Sequence, residues 1–223
     1  MAILSCEGKR IYFAHVPKTA GTSLYVAFIK AGWRVENVVT NPNLGTGKAL
    51  LKEFGIKQLQ IAGDLSELET LGRSPQHAPI STWEKWGPFD ESFAIVRHPG
   101  DRFLSALKYQ FQGLGAKRKR DIFKHKSIDT FRKRVLSDLS SDPASLRHKY
   151  DGHFAPQTDF VARDTKVFRF EGDFTGEISD RYGLQKDQFP ALNISKSETI
   201  TLTPDEQRFV ESTYADDFNR FGY

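Results

Sequence analysis

The stretch Ile11-Tyr-Phe-Ala-His-Val-Pro-Lys-Thr-Ala-Gly-Thr-Ser-Leu24 constrains this chain more than any other. Its opening apolar run, Ile11 to Val16, reads as a buried strand. The chain then turns through Pro17, Lys18, Thr19, Ala20 and Gly21 and restarts as a helix at Thr22, Ser23 and Leu24. A strand that feeds a helix through a small, hydroxyl-bearing loop presents free backbone N–H groups and a positive dipole end. Lys18 adds a mobile point charge beside them, so the place suits a phosphate or a sulfate. The plain alternative is a polar strand-to-helix turn with a solvated lysine. The ordinary phosphate loop is excluded, because Gly-x-x-x-x-Gly-Lys-Ser/Thr sets its lysine at the helix start, whereas here the lysine precedes the glycine.

Strands and helices alternate along the rest of the chain. Helices are expected over Ser23 to Ala31, Lys48 to Phe54, Pro79 to Trp86 and Phe174 to Tyr182, the last stopped by Gly183. Strands are expected over Val35 to Val39, Ser92 to Arg97 and Lys166 to Phe170, and a strand with its exit loop over Leu59 to Asp64. His98-Pro99-Gly100-Asp101 reads as a breaker before a helix whose apolar face carries Phe103, Leu104, Leu107, Phe111 and Leu114. His153 to Gln157 and Phe189 to Thr201 read as loops. One closing helix is expected, with Thr203 as N-cap, Pro204 in the first turn, Glu206 completing a capping box, and Val210, Tyr214, Phe218 and Phe221 on its apolar face. This order predicts an α/β fold with a mainly parallel central sheet.

A length of 223 residues fits a single domain over 1–223, and 39% hydrophobic residues, 18 of them Phe, suffice for a core. No apolar run reaches the length of a membrane span. The first ten residues lack the pattern of a secretory signal, and Cys6 is the sole cysteine, so a reducing, cytoplasmic setting is the expectation. The net charge is +4, yet Lys117 to Arg134 holds nine Lys/Arg against two Asp, a local excess of seven that leaves the remainder near −3. This block reads as a solvated helical face or loop within a basic insertion around 115–150, with an anionic acceptor as the competing reading. Only Phe123 and Phe131 interleave with it, which argues against nucleic acid.

A second constellation, Arg97-His-Pro-Gly-Asp-Arg-Phe-Leu-Ser105, sets Arg97 at a strand end, a turn at Pro99–Gly100, and Arg102 and Ser105 on one face of the next helix. A phosphate monoester there would receive a guanidinium fork and a hydroxyl donor. Together with Pro17 to Ser23, this pattern resembles the two phosphate motifs of sulfotransferases that use 3′-phosphoadenosine 5′-phosphosulfate (PAPS), in the branch of carbohydrate sulfotransferases and their soluble bacterial relatives. Weaker similarities run through His77, Pro156-Gln157, Arg169-Phe-Glu171, Leu192 to Lys196 and Asp217 to Tyr223. The resemblance implies a three-layer domain like that of P-loop NTPases and sulfuryl transfer to a hydroxyl, with a carbohydrate as the expected acceptor. It implies that Pro17, Lys18, Thr19, Ala20, Gly21, Thr22 and Ser23 hold the 5′-phosphosulfate, that Arg97 and Ser105 hold the 3′-phosphate, and that the loop with Ser195 and Lys196 closes over the nucleotide.

In-line displacement needs a proton acceptor, stabilised charge on the leaving oxygen, and alignment. Lys18 suits the second task. The scheme needs no metal, and the sequence holds no HxxxH or Cys/His cluster. Relatives often carry a Gly-His pair where this chain reads Gly63-Asp64, so the base is open between His77, the first choice because imidazole titrates near neutrality, and Asp64. His15 reads as a structural hydrogen-bonder, His153 as a reserve, and Trp83 and Trp86 as packing residues rather than a sugar platform. Two rivals stand beside this reading: a nucleotide-dependent kinase with a degenerate phosphate loop, and an inactive nucleotide- or glycan-binding module.

Overall fold

The structure, a computed structural model, describes residues 2–37, 57–58, 77, 87–117, 127–142, 146–147, 149–190 and 200–223. It opens with a hairpin that the sequence did not announce. Strand β1 (Ala2–Cys6) pairs antiparallel with β2 (Lys9–Ala14) across a two-residue turn, Glu7–Gly8. Both turn residues have positive φ, 49° and 83°, as a tight hairpin demands. Glu7 stands where Asn or Asp usually signals such a turn, and Ala2-Ile-Leu is too short an apolar run to mark a strand alone. The strand expected from Ile11 to Val16 therefore starts earlier and stops at Ala14.

Among the described residues, strands β3 (Arg34–Asn37), β4 (Lys57–Gln58), β5 (Glu91–Val96) and β6 (Lys166–Arg169) join the hairpin in a six-stranded sheet ordered β4-β3-β1-β2-β5-β6. The pairs β2–β5, β5–β6 and β3–β4 are parallel, while β1 runs antiparallel to both its neighbours. Strand β2 is buried on both faces, which explains its unbroken apolar run. Ile11 and Phe13 enter one core with Phe93, Ile95 and Phe168, covered by α1 (Gly21–Lys30) and α4 (Phe174–Tyr182). Tyr12 and Ala14 enter the other, with Ala94, Val96, Phe160 and Phe221. The aromatic density is tight: Phe13 and Phe93 lie 5.1 Å apart and Phe93 and Tyr182 likewise 5.1 Å. Each fully buried Phe contributes about 1.5–3 kcal/mol.

On the second face lies a helical layer of α2 (Pro99–Lys117), α3 (Ile128–Ser141), α5 (Pro204–Thr213) and α6 (Ala215–Phe221). Phe103 and Leu107 of α2, Phe131, Val135 and Leu139 of α3, and Val210 of α5 form a third apolar cluster. Three expectations change here. Pro99–Gly100 is no turn, since Pro99 opens α2, where its missing N–H costs nothing. The closing helix is two, broken at Tyr214 (φ −108°, ψ 26°), although the capping box of Thr203 and Glu206 forms as expected. The basic block is not wholly a solvated face: Arg132 is buried, and its Nε donates to Glu206 Oε1 at 2.9 Å. The elements expected over Lys48–Phe54, Leu59–Asp64 and Pro79–Trp86 lie outside the described residues.

Candidate functional site

Strands β2 and β5 run parallel in register, Ala14 opposite Ala94, so the chain leaves both at the same edge of the sheet. The segment 15–20 and Arg97 are thereby neighbours. Ligands of α/β sheets gather at the carboxyl ends of parallel strands, and here the two motifs meet there.

The first loop is bent by two residues in left-handed conformation, Lys18 (φ 70°) and Ala20 (φ 68°), neither of them glycine. Such residues cost about 1 kcal/mol each and persist where the surroundings over-determine them. Thr19, between them, is fully buried and donates its hydroxyl to the Val16 carbonyl at 2.8 Å. Ala20 is the N-cap of α1 and offers no side-chain bond, and the first turn carries no acid. The helix thus presents its N-terminal amides and dipole uncompensated by any side chain of its own first turn. Gly21 serves packing rather than backbone freedom: a Cβ there would lie 2.3 Å from His15 Nε2.

At the second motif, the Gln157 side chain accepts from the Arg97 N–H at 2.9 Å and donates to the Arg97 carbonyl at 2.8 Å. Asp217, fully buried, takes the backbone N–H groups of Gln157 and Thr158, each at 2.9 Å. The Arg97 guanidinium lies 4.5 Å from the Phe170 ring centre, and its buried Nε has no hydrogen-bond partner among the described residues. A buried guanidinium nitrogen without an acceptor is costly unless an anion supplies one. Burial lowers the Arg97 pKa, and burial followed by the Arg97 charge brings Lys18 down to about 8. An arginine close enough to depress the neighbouring lysine favours an anion between them.

Arg102 does not join this site. It is 1% exposed, with its two terminal nitrogens given to the carbonyls of His153 (3.1 Å) and Ala155 (2.6 Å) and its buried Nε without a partner among the described residues, so the expected guanidinium fork reduces to Arg97 alone. Ser105 is half-buried on α2, one turn before Tyr109, and so on the same helix face. Tyr109 carries Lys18 on its ring, the Nζ 3.9 Å from the centroid.

From Tyr109 a row of imidazoles follows. The ring centres of Tyr109 and His153 are 4.9 Å apart, those of His153 and His77 4.8 Å, and those of His77 and His15 5.4 Å. His15 also meets the Tyr25 hydroxyl through Nδ1 at 3.0 Å, in line with the structural role expected of it. Burial first, then the surrounding positive groups, holds His15 well below the usual histidine range. Burial and then the neighbouring His77 bring His153 to about 3. His77, 3% exposed, sets Nδ1 at 3.1 Å from Asp151 Oδ2 and 2.9 Å from the Asp151 carbonyl. His77, Asp151 and His153 offer donor atoms within 4.8 Å of one another, the one such set among the described residues.

The structure thus gathers Lys18, the loop to Ser23, Arg97 and His77 into one region, with Ser105 on the helix face that runs past it. Asp64, Ser195, Lys196, Trp83 and Trp86 lie outside the described residues. Tyr109, Asp151 and Gln157 were not singled out for the roles they take here. A lone tyrosine, aspartate or glutamine has no periodic or spacing signal, and only the tertiary contact reveals it.

The family model described as the sulfotransferase family matches residues 1–223. Searches of curated proteins and of solved structures returned no match.

Proposed function

The chain belongs to the sulfotransferase family, and from that premise we propose that it moves the sulfuryl group of PAPS to a carbohydrate hydroxyl. The observation that carries this reading is the parallel pairing of β2 with β5, which sets the uncapped α1 terminus and Lys18 beside an Arg97 whose buried Nε lacks an acceptor among the described residues. A nucleotide with phosphate groups at two ends fits two anion sites of this kind. When bound, PAPS supplies the activated sulfuryl group. The amides from Thr19 to Ser23 and the Lys18 ammonium hold the 5′-phosphosulfate and stabilise charge where it develops. Arg97 and Ser105 hold the 3′-phosphate, and Ser195 and Lys196 add contacts to the nucleotide.

His77 is the proton acceptor in this scheme. Among the described residues both atoms facing its Nδ1 are acceptors, so Nδ1 carries the hydrogen and Nε2 is the nitrogen that takes a proton from the hydroxyl. Asp64 is the alternative base. The carbohydrate acceptor rests on the resemblance of the two phosphate motifs to those of carbohydrate sulfotransferases. No helix among the described residues is long and apolar enough to cross a membrane. We read 1–223 as one sulfotransferase domain, consistent with the span of the family match.

The test is calorimetric titration with 3′,5′-ADP, 5′-AMP and ATP, followed by transfer of ³⁵S from labelled PAPS to a panel of neutral and uronic-acid oligosaccharides. Selective binding of 3′,5′-ADP that Arg97→Ala abolishes, with label entering a sugar, is expected. Equal binding of ATP, or label appearing only on non-carbohydrate alcohols, would overturn the donor or the acceptor assignment respectively.

A further inference from the structure

We propose that Asp151 is the positioning residue of the base, fixing His77 for proton acceptance through a left-handed turn built from Tyr150, Asp151 and Gly152. The inference rests on the reading of His77 as base and adds the residue through which the fold controls it. Asp151 stands 74 positions away from His77 in sequence and reaches Nδ1 with both its carboxylate and its own carbonyl. One residue therefore dictates the tautomer twice. As a hydroxyl proton passes to Nε2, the imidazole becomes a cation whose Nδ1–H already faces the Asp151 carboxylate. That arrangement stabilises the charged form at the moment it appears.

The backbone shows that this contact is built rather than incidental. Tyr150 (φ 56°, ψ 33°), Asp151 (φ 58°, ψ 31°) and Gly152 (φ 69°) are three successive residues in left-handed conformation, two of them not glycine. Residues other than glycine visit this region singly, and a run of them needs external support. Two helices supply it. From α3, Asp138 accepts the Tyr150 hydroxyl at 2.8 Å and Phe131 meets its ring edge-on. From α2, the Gln110 amide donates to the Tyr150 carbonyl at 2.8 Å, and Arg102 holds the carbonyls of His153 and Ala155 just downstream. The buried Arg102, surplus to anion binding, has its use here.

Asp151→Asn is the informative variant, because Asn tolerates left-handed backbone as Asp does while removing the charge. Affinity for 3′,5′-ADP should stay within about twofold, which also reports an intact fold, while kcat for ³⁵S transfer falls about tenfold or more, a part of what a general base contributes. By NMR, wild type should show a downfield proton coupled to His77 Nδ1, displaced upfield in the variant, a readout that needs no acceptor. His77→Ala should lower kcat by about 10²–10⁴-fold, and adding Asp151→Asn to it should cost nothing more. Tyr150→Phe, which frees the turn from Asp138, should lower kcat in the same direction and serves if Asp151→Asn does not fold. Equal losses from Asp151→Asn with and without His77, or an unmoved His77 proton, overturn the inference alone. Wild-type turnover by His77→Ala overturns the base assignment beneath it. One equivalent of Zn²⁺ bound by wild type, lost in Asp151→Asn and raising turnover, would replace the pair with a metal site.

Discussion

Gln157 clasps Arg97 from both sides, accepting from its N–H at 2.9 Å and donating to its carbonyl at 2.8 Å. Gln157 is itself fully buried and tied through its own N–H to Asp217. Arg97 is therefore positioned from the far end of the chain. Gln157→Ala should leave 5′-AMP binding nearly unchanged and weaken 3′,5′-ADP binding about tenfold, the loss of one charge-assisted contact. Calorimetry with both nucleotides on the same variant checks this. Parallel losses for both would mean that Gln157 supports the whole sheet edge rather than Arg97.

Lys18 gives the pH behaviour. Burial, and then Arg97, lowers its pKa from the ordinary 10.5 to about 8. The folded state thus releases this proton before the unfolded state does. Between about pH 8 and 10.5 the unfolded chain binds more protons, so this group's contribution to stability rises with pH in that window and is unfavourable below it. Anion binding runs the other way, because the ammonium is the binding form. Affinity for 3′,5′-ADP should fall as pH rises through about 8, and Lys18→Met should bind weakly with no such step. A Lys18→Met profile that keeps the step would assign it elsewhere.

The parts of this fold legible in the sequence are those with local causes. Helix α4 and its Gly183 stop, the capping box of α5, and the existence of strands β2, β5 and β6, though not their last residues, follow from period, caps and apolar runs. That Lys18 and Arg97 come together was legible, because each follows a strand end in a motif of fixed spacing. What escaped has non-local causes. Strand β1 depends on pairing with β2 and β3 on both sides. Pro99 and Gly100 look like a turn in isolation, yet the helix starts there because Pro suits a first turn. Asp151 and Tyr150 gain their roles from a backbone conformation that no residue type there foretells.

Gly21 is set by a side chain rather than by its backbone. A methyl group at this position would come within 2.3 Å of His15 Nε2 and 2.6 Å of its Cδ2. His15 cannot retreat freely, since Tyr25 holds its Nδ1 at 3.0 Å and Phe13 stacks on it at 5.7 Å. Gly21→Ala should therefore destabilise the fold by about 1–3 kcal/mol, as overpacking does, and weaken nucleotide binding by displacing the α1 terminus. Urea denaturation and calorimetry measure the two effects. Combining it with His15→Ala makes room for the methyl, so the pair should cost less than the two changes summed. Strict additivity would show that the loop rejects a methyl group at this position for another reason.

Arg132 and Glu206 test how firmly the helical layer is locked. Glu206 is 2% exposed and serves twice, accepting from the Thr203 N–H at 2.8 Å as part of the α5 cap and taking the Arg132 guanidinium. Arg132 also donates to the Thr201 carbonyl at 2.6 Å. Arg132→Met would leave a buried carboxylate with the cap as its remaining support, and removing one partner of such a pair costs about 3–5 kcal/mol. Replacing both, Arg132→Met with Glu206→Leu, should recover much of that loss and forfeit the cap, worth about 1 kcal/mol. Denaturation midpoints of the two single variants and the double variant decide the matter, with 3′,5′-ADP affinity as a control that should not move. A double variant as unstable as Arg132→Met would mean that the guanidinium matters through Thr201 and packing, and that the ion pair adds little.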